Sequence, residues 1–132
     1  MTNMSKILLI EDDPLMLRLY EKVFQRQNFQ IVTASRGAEG LVKAVSESPQ
    51  LILLDIMMPE MDGFEVLGKL QLNNDTKNIP VIALTNLAGE QDAKKALELG
   101  AKEYVIKSEH DPSDVVKIAK EVLASQLPNK TN

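Results

Sequence analysis

The chain has 132 residues, 44% of them hydrophobic and 26% charged, with a formal net charge of −4 and a sequence pI near 5.0. That is the size and balance of one globular domain with a real core, and the acidic charge argues against non-specific nucleic-acid binding, which needs basic surface. The absence of cysteine and the single histidine exclude disulfides, thiolate metal sites and multi-histidine zinc sites.

The N-terminal stretch, MTNMSKILLIEDD, does not read as a signal peptide, because its apolar run is short and passes straight into acids. No run approaches the length of a membrane span, so a cytoplasmic protein without a membrane partner is expected. A single domain over 1–132 is expected, with a core over about 5–127 and short frayed tails.

Along the chain one unit recurs: a short apolar run, a polar turn, then a stretch of helical period. KILLI (6–10) precedes a helix over 14–27, with Asp13-Pro14 as N-cap and first helical residue. QIVTA (30–34) precedes a helix over 38–47. QLILL (50–54) precedes a helix over 63–72, where Asp62 and Glu65 have the spacing of a capping box. PVIAL (80–84) precedes a helix over 90–99, and Gly100 stands where a left-handed C′ residue belongs. EYVI (103–106) precedes a helix over 112–127 that opens with Asp111-Pro112. Five strands alternating with five helices predict an α/β fold, a doubly wound five-stranded parallel sheet covered on both faces. Burial on both faces explains why ILLI and LILL are continuous apolar runs. The pattern leaves the strand order open.

In a parallel sheet the C-terminal strand ends share one edge, where ligands bind near a topological switch point. Here those ends carry Glu11-Asp12-Asp13, Asp55, Thr85 and Lys107, whereas the second strand ends in Ala34-Ser35. Three or four carboxylates, a hydroxyl and an ammonium are therefore expected in one cleft. Carboxylates so crowded raise one another's pKa unless a cation intervenes. An all-oxygen set points to Mg²⁺, with Mn²⁺ as the alternative. A carboxylate beside a metal and a lysine can attack phosphorus and become an aspartyl phosphate. No general base for a second substrate is evident.

These residues resemble a response-regulator receiver domain. The matching pieces are ILLIEDDP, LLDIMMPEMDG, VIALT and GAKEYVIKS, and the spacings from Asp55 to Thr85 to Lys107 agree. The resemblance runs from the first strand through the fifth helix. It implies a flavodoxin-like strand order, 2-1-3-4-5. It implies Asp55 as phospho-acceptor, Glu11 and Asp12 as the acidic pair at the metal (Asp12 direct, Glu11 through water), and Asp13 as a helix cap. The backbone carbonyl of Met57 would join the metal, Lys107 would contact the phosphate, and Thr85 and Tyr104 would form a switch pair. The implied phosphoryl donor is a histidine kinase or a histidine phosphotransfer protein. The implied output is contact with a downstream protein partner, as a monomer or a phosphorylation-dependent dimer, without nucleic acid. Because nothing follows the fifth helix, a stand-alone module without an output domain is expected.

Two residues depart from the family pattern. Ser108 follows Lys107 where proline is usual, and Asn86, at the access to the site, follows Thr85 where a small residue is usual. A cis bond before a non-proline residue costs about 3–4 kcal/mol, against about 0.5–1 kcal/mol before proline. The expectation is therefore a trans Lys107–Ser108 bond, with the long lysine stem still reaching Asp55.

Simpler readings stand beside these. Asp13 is explained by capping alone, Met57, Met58 and Met61 by loop and core packing, and Tyr104 by a strand aromatic position. His110 reads as a surface residue, and Lys94, Lys95 and Glu98 as a solvated helix face. Three other functions are weighed against a phosphorylated signalling module. An aspartate-nucleophile phosphatase usually has a second Asp two residues after the nucleophile, where this chain has Met57. A flavin carrier needs phosphate donors after the first strand, where EDDP presents negative charge. A degenerate receiver would bind partners without phosphorylation.

Overall fold

The structure is a computed structural model that describes residues 4–126; residues 1–3 and 128–132 of the expected tails, with Leu127 of the fifth helix, lie outside the described residues. Ten principal elements alternate along the chain: β1 (Lys6–Ile10), α1 (Pro14–Arg26), β2 (Gln30–Ala34), α2 (Gly37–Ser46), β3 (Leu51–Leu54), α3 (Gly63–Leu72), β4 (Val81–Thr85), α4 (Glu90–Glu98), β5 (Glu103–Ile106) and α5 (Pro112–Ser125). A single 3₁₀ turn, Lys107–Glu109, joins β5 to α5. All strand pairs are parallel and the sheet order is β2-β1-β3-β4-β5. This is the flavodoxin-like order, with its switch point between β1 and β3.

Strand side chains alternate between the faces, so each central strand feeds two cores. Ile7, Leu9, Leu51, Leu53, Ile82 and Leu84 pack under α1 and α5 with Tyr20, Phe24, Val115 and Ala119. Leu8, Ile10, Ile52, Leu54, Val81 and Ala83 pack under α2, α3 and α4 with Ala44, Val66, Leu67 and Ala96. Every residue of β3 is buried, whereas edge strands β2 and β5 are mostly half-buried. The continuous run and the weaker edge runs in the sequence reflect that difference.

The element ends follow from local chemistry. Asp13 Oδ1 accepts the Leu15 N–H at 2.9 Å, ahead of Pro14, which has no N–H to satisfy. Helix α1 stops at Arg26 because Asn28 turns left-handed at φ 68. The Asn28 and Phe29 N–H groups return to the carbonyls of Gln25 and Phe24, and the Phe24 and Phe29 rings meet edge-on at 5.4 Å. These are the bonds and the apolar contact of a Schellman motif. Helix α4 ends in the same way at Gly100, φ 110, with Ala101 N–H on Ala96 O. At α3, Asp62 accepts from the Glu65 N–H at 2.9 Å. Strand β4 begins one residue later than expected and includes Thr85. Pro80 offers no N–H to the sheet, although its carbonyl accepts from Ile52.

Lys95 corrects one expectation. Its ammonium lies 4.3 Å from the centroid of the Phe64 ring and so ties α4 to α3 rather than facing only solvent.

Candidate functional site

Strand register assembles the site. Ile10 pairs with Leu54, so the next residues, Glu11 and Asp55, emerge side by side, and the Asp55 N–H donates to the Ile10 carbonyl at 3.0 Å. Thr85 pairs with Ile106, so Asn86 and Lys107 emerge together at the far side. The result is an open cleft of about 340 Å³ lined by Glu11, Asp12, Asp13, Met16, Asp55, Met57, Asn86 and Lys107.

Asp55 is 5% exposed and Glu11 1% exposed, so both carboxylates are withdrawn from water. Asp55 Oδ1 accepts the Met57 N–H at 3.0 Å, and Asp55 Oδ2 lies 3.3 Å from Lys107 Nζ. The same ammonium donates to Glu11 Oε1, and Glu11 Oε2 accepts the Asp13 N–H at 3.1 Å. One ammonium is therefore shared by two buried carboxylates. Asp12, half-buried, completes a cluster in which ligand oxygens of Glu11, Asp12 and Asp55 lie within 4.8 Å of one another. Burial is the main cause that pushes the Glu11 carboxyl up to about 7; the Lys107 hydrogen bond opposes it and the Asp55 charge reinforces it. Burial pulls the Lys107 ammonium down, but the Glu11 hydrogen bond and the two carboxylate charges outweigh it and hold the pKa above its usual value.

The donor set fits a hard divalent cation: three carboxylates, no sulfur, no imidazole, and more negative charge than one lysine can offset. A cation bound there would favour the ionised Glu11 carboxylate, which burial disfavours.

The loop after Asp55 is held tightly. Glu60 takes φ 68, a left-handed conformation rare outside glycine, and Met61 N–H donates to Pro59 O at 2.7 Å. Gly63 then packs directly on the strand end. A Cβ there would lie 2.5 Å from Ile56 Cα and 2.6 Å from the Asp55 carbonyl oxygen.

The structure brings Glu11, Asp12, Asp55, Lys107, Asn86 and Met57 to one cleft. The Met57 side chain, expected in packing, is instead exposed at the rim, while Met58 is buried. Thr85 is fully buried and does not line the cleft; its Oγ1 accepts the Leu87 N–H at 3.3 Å. Tyr104, half-buried, donates its hydroxyl to Leu87 O at 2.6 Å, so Leu87 links Thr85 to Tyr104. His110 is half-buried beside the 3₁₀ turn, and its N–H donates to Lys107 O at 3.4 Å. The Lys107–Ser108 bond is trans, as are all peptide bonds among the described residues.

Two neighbours escaped the sequence reading. Met16 lines the cleft from α1. Tyr20, 1% exposed, has its hydroxyl pKa raised, chiefly by burial, and feels the charges of both Lys107 and Glu11. The only signal for Tyr20 was its place four residues before Phe24 on the buried stripe of α1.

The response regulator receiver domain family matches residues 7–120. The response regulator PleD of Caulobacter vibrioides is 38% identical over 103 residues, covering 78% of this chain and 23% of PleD. The alkaline phosphatase synthesis transcriptional regulatory protein PhoP of Bacillus subtilis is 39% identical over 103 residues, covering 78% of this chain and 42% of PhoP. The chain thus spans less than half the length of either relative. A CheY-like response regulator receiver domain protein from Methanospirillum hungatei superposes with a TM-score of 0.87 at 28% identity, covering 94% of this chain and 97% of that one.

Proposed function

Because the chain belongs to the response regulator receiver domain family, we propose that it accepts a phosphoryl group on Asp55 and signals by a change of shape. Receiver domains are signalling domains of two-component systems, and they bind Mg²⁺ at an acidic pocket. The observation that carries the proposal is the pairing of buried Asp55 with the Lys107 ammonium at 3.3 Å, beside the carboxylates of Glu11 and Asp12.

An Asp55 carboxylate oxygen is the nucleophile. It forms a new O–P bond as the bond from phosphorus to the donor breaks, and the donor leaves with that electron pair. In the proposed reaction the donor is the phosphorylated imidazole of a histidine kinase or histidine phosphotransfer protein. Glu11, Asp12, Asp55 and the Met57 carbonyl would hold the metal, which offsets charge on the transferring oxygens when bound. The Lys107 ammonium, paired with Asp55 at 3.3 Å, would offset further charge on those oxygens and keeps Asp55 aimed. The chain supplies no more enzymatic action than its own phosphorylation and slow dephosphorylation.

Phosphorylation adds about −1.5 to −2 charge. In the proposed switch, the Thr85 hydroxyl gives up the Leu87 N–H it accepts and donates its own O–H to a phosphoryl oxygen, and Tyr104 follows because its hydroxyl is bound to the Leu87 carbonyl. The altered surface of α4, β5 and α5 then meets a protein partner or a second copy. The proposal places this receiver domain in the cytoplasm; no helix among the described residues is long and apolar enough to cross a membrane.

The test is incubation with acetyl phosphate and Mg²⁺ followed by intact mass spectrometry. One phosphoryl group per chain is expected, labile to hydroxylamine and absent in Asp55→Asn or after EDTA. Labelling that persists in Asp55→Asn overturns the assignment.

A further inference from the structure

We propose that Asn86 is a positioning residue for Lys107: its side-chain carbonyl caps the turn that carries the ammonium over Asp55. The proposal rests on the reading of Asp55 as the phosphoryl acceptor. Asn86 and Ser108, the two residues at which the chain departs from the family pattern, meet in the structure. Asn86 Oδ1 accepts the Ser108 N–H at 3.1 Å, across 22 positions of sequence.

The physical need for this bond is local. Lys107 opens the 3₁₀ turn Lys107–Glu109, and the leading N–H groups of such a turn have no partner within it. The residue before the turn is Ile106, whose side chain has no acceptor, and no side-chain cap bond forms there. The acceptor comes instead from the neighbouring strand end, because the Thr85–Ile106 pairing sets Asn86 beside the turn. A proline at 108 would have no N–H to give. The bond thus depends on the departure at 108, and it fastens the backbone at the base of the lysine side chain.

That fastening matters for the site. The lysine ammonium sits on a flexible four-carbon stem, and here it must meet both Glu11 and Asp55. Fixing its backbone narrows the arcs the ammonium can sweep. Asn86 and Ser108 are both exposed, so water can replace the bond, and its loss shows in positioning more than in stability.

The test separates an action through Lys107 from simple access to the cleft. Asn86→Leu keeps side-chain bulk and removes the acceptor; Asn86→Asp keeps the acceptor. Amide hydrogen exchange at Ser108 is expected to quicken in Asn86→Leu and to stay slow in Asn86→Asp. The rate of Asp55 phosphorylation by acetyl phosphate is expected to fall about fivefold in Asn86→Leu, the factor matching one hydrogen bond of this kind. In a Lys107→Ala background the same substitution is expected to cost nothing further, because a residue that acts through another is silent once that other is gone. Unchanged Ser108 exchange in Asn86→Leu overturns the proposal. So does an equal loss of rate with and without Lys107, which assigns Asn86 to access alone. A wild-type chain that takes no phosphoryl group sinks the function proposed for Asp55, while Ser108 exchange still decides whether the cap exists.

Discussion

Raising the pH of the metal-free protein from about 5 to about 8 is expected to destabilise it, and Mg²⁺ is expected to remove most of that loss. The cause is Glu11, whose carboxyl is pushed up to about 7 from an ordinary 4.5, first by burial and further by the charge of Asp55. Between those two values the folded chain holds a proton that the unfolded chain has released. Stability therefore falls as pH climbs through the window, and it is fully restored only below about 4.5 on this group's account. At about 1.4 kcal/mol per tenfold, the gap is on the order of 3 kcal/mol. A chain of this size loses about 3–4 °C of melting temperature per kcal/mol, so the drop is about 10 °C. A divalent cation binds the ionised form, so its apparent affinity weakens as pH falls below about 7. Thermal or urea denaturation from pH 5 to 8, with and without saturating Mg²⁺, measures both effects. Glu11→Gln is the control: it should flatten the metal-free profile and exceed wild type in stability at pH 8. A flat wild-type profile, or one whose slope survives Glu11→Gln, refutes the reasoning. A melting temperature indifferent to Mg²⁺ at pH 8 refutes the cation site.

Lys107→Ala leaves Glu11 and Asp55 facing each other without their ammonium, and a loss of about 3–5 kcal/mol at pH 8 is expected in urea denaturation, recovering toward pH 5 as Glu11 takes a proton. Gly63→Ala forces a methyl to within 2.5 Å of the Ile56 backbone; a loss of about 1–3 kcal/mol and slower phosphorylation of Asp55 are expected, read by denaturation and mass spectrometry. Phosphorylation should move amide resonances of α4, β5 and α5 as well as those of the cleft loops. Tyr104→Phe, which gives up the 2.6 Å bond to Leu87, should shrink the distant set without lowering phosphorylation, and shifts confined to the cleft loops would sink the switch.

The parts of the molecule that read plainly from sequence are those set by burial on a regular lattice. LILL and ILLI are buried on both faces, so each residue is apolar, and the polar residues that end these runs fall together because the sheet is parallel. Asp13, Asp62 and Gly100 were legible for a similar reason: a cap or a left-handed turn is a contract between near neighbours. Contacts made sideways between strand ends were not legible. Nothing in the order of residues says that Lys107 meets Glu11 as well as Asp55, or that Thr85 sits beneath the cleft with its hydroxyl on Leu87. Those depend on register and on where a long side chain comes to rest. The Asn86–Ser108 bond shows the limit most clearly. Each residue stood out as a separate departure, one at the access to the site and one in the loop after β5. Only the pairing of Thr85 with Ile106 turns them into donor and acceptor of one bond. A sequence can mark two positions as unusual, but whether they compensate each other is decided in the space between two strands.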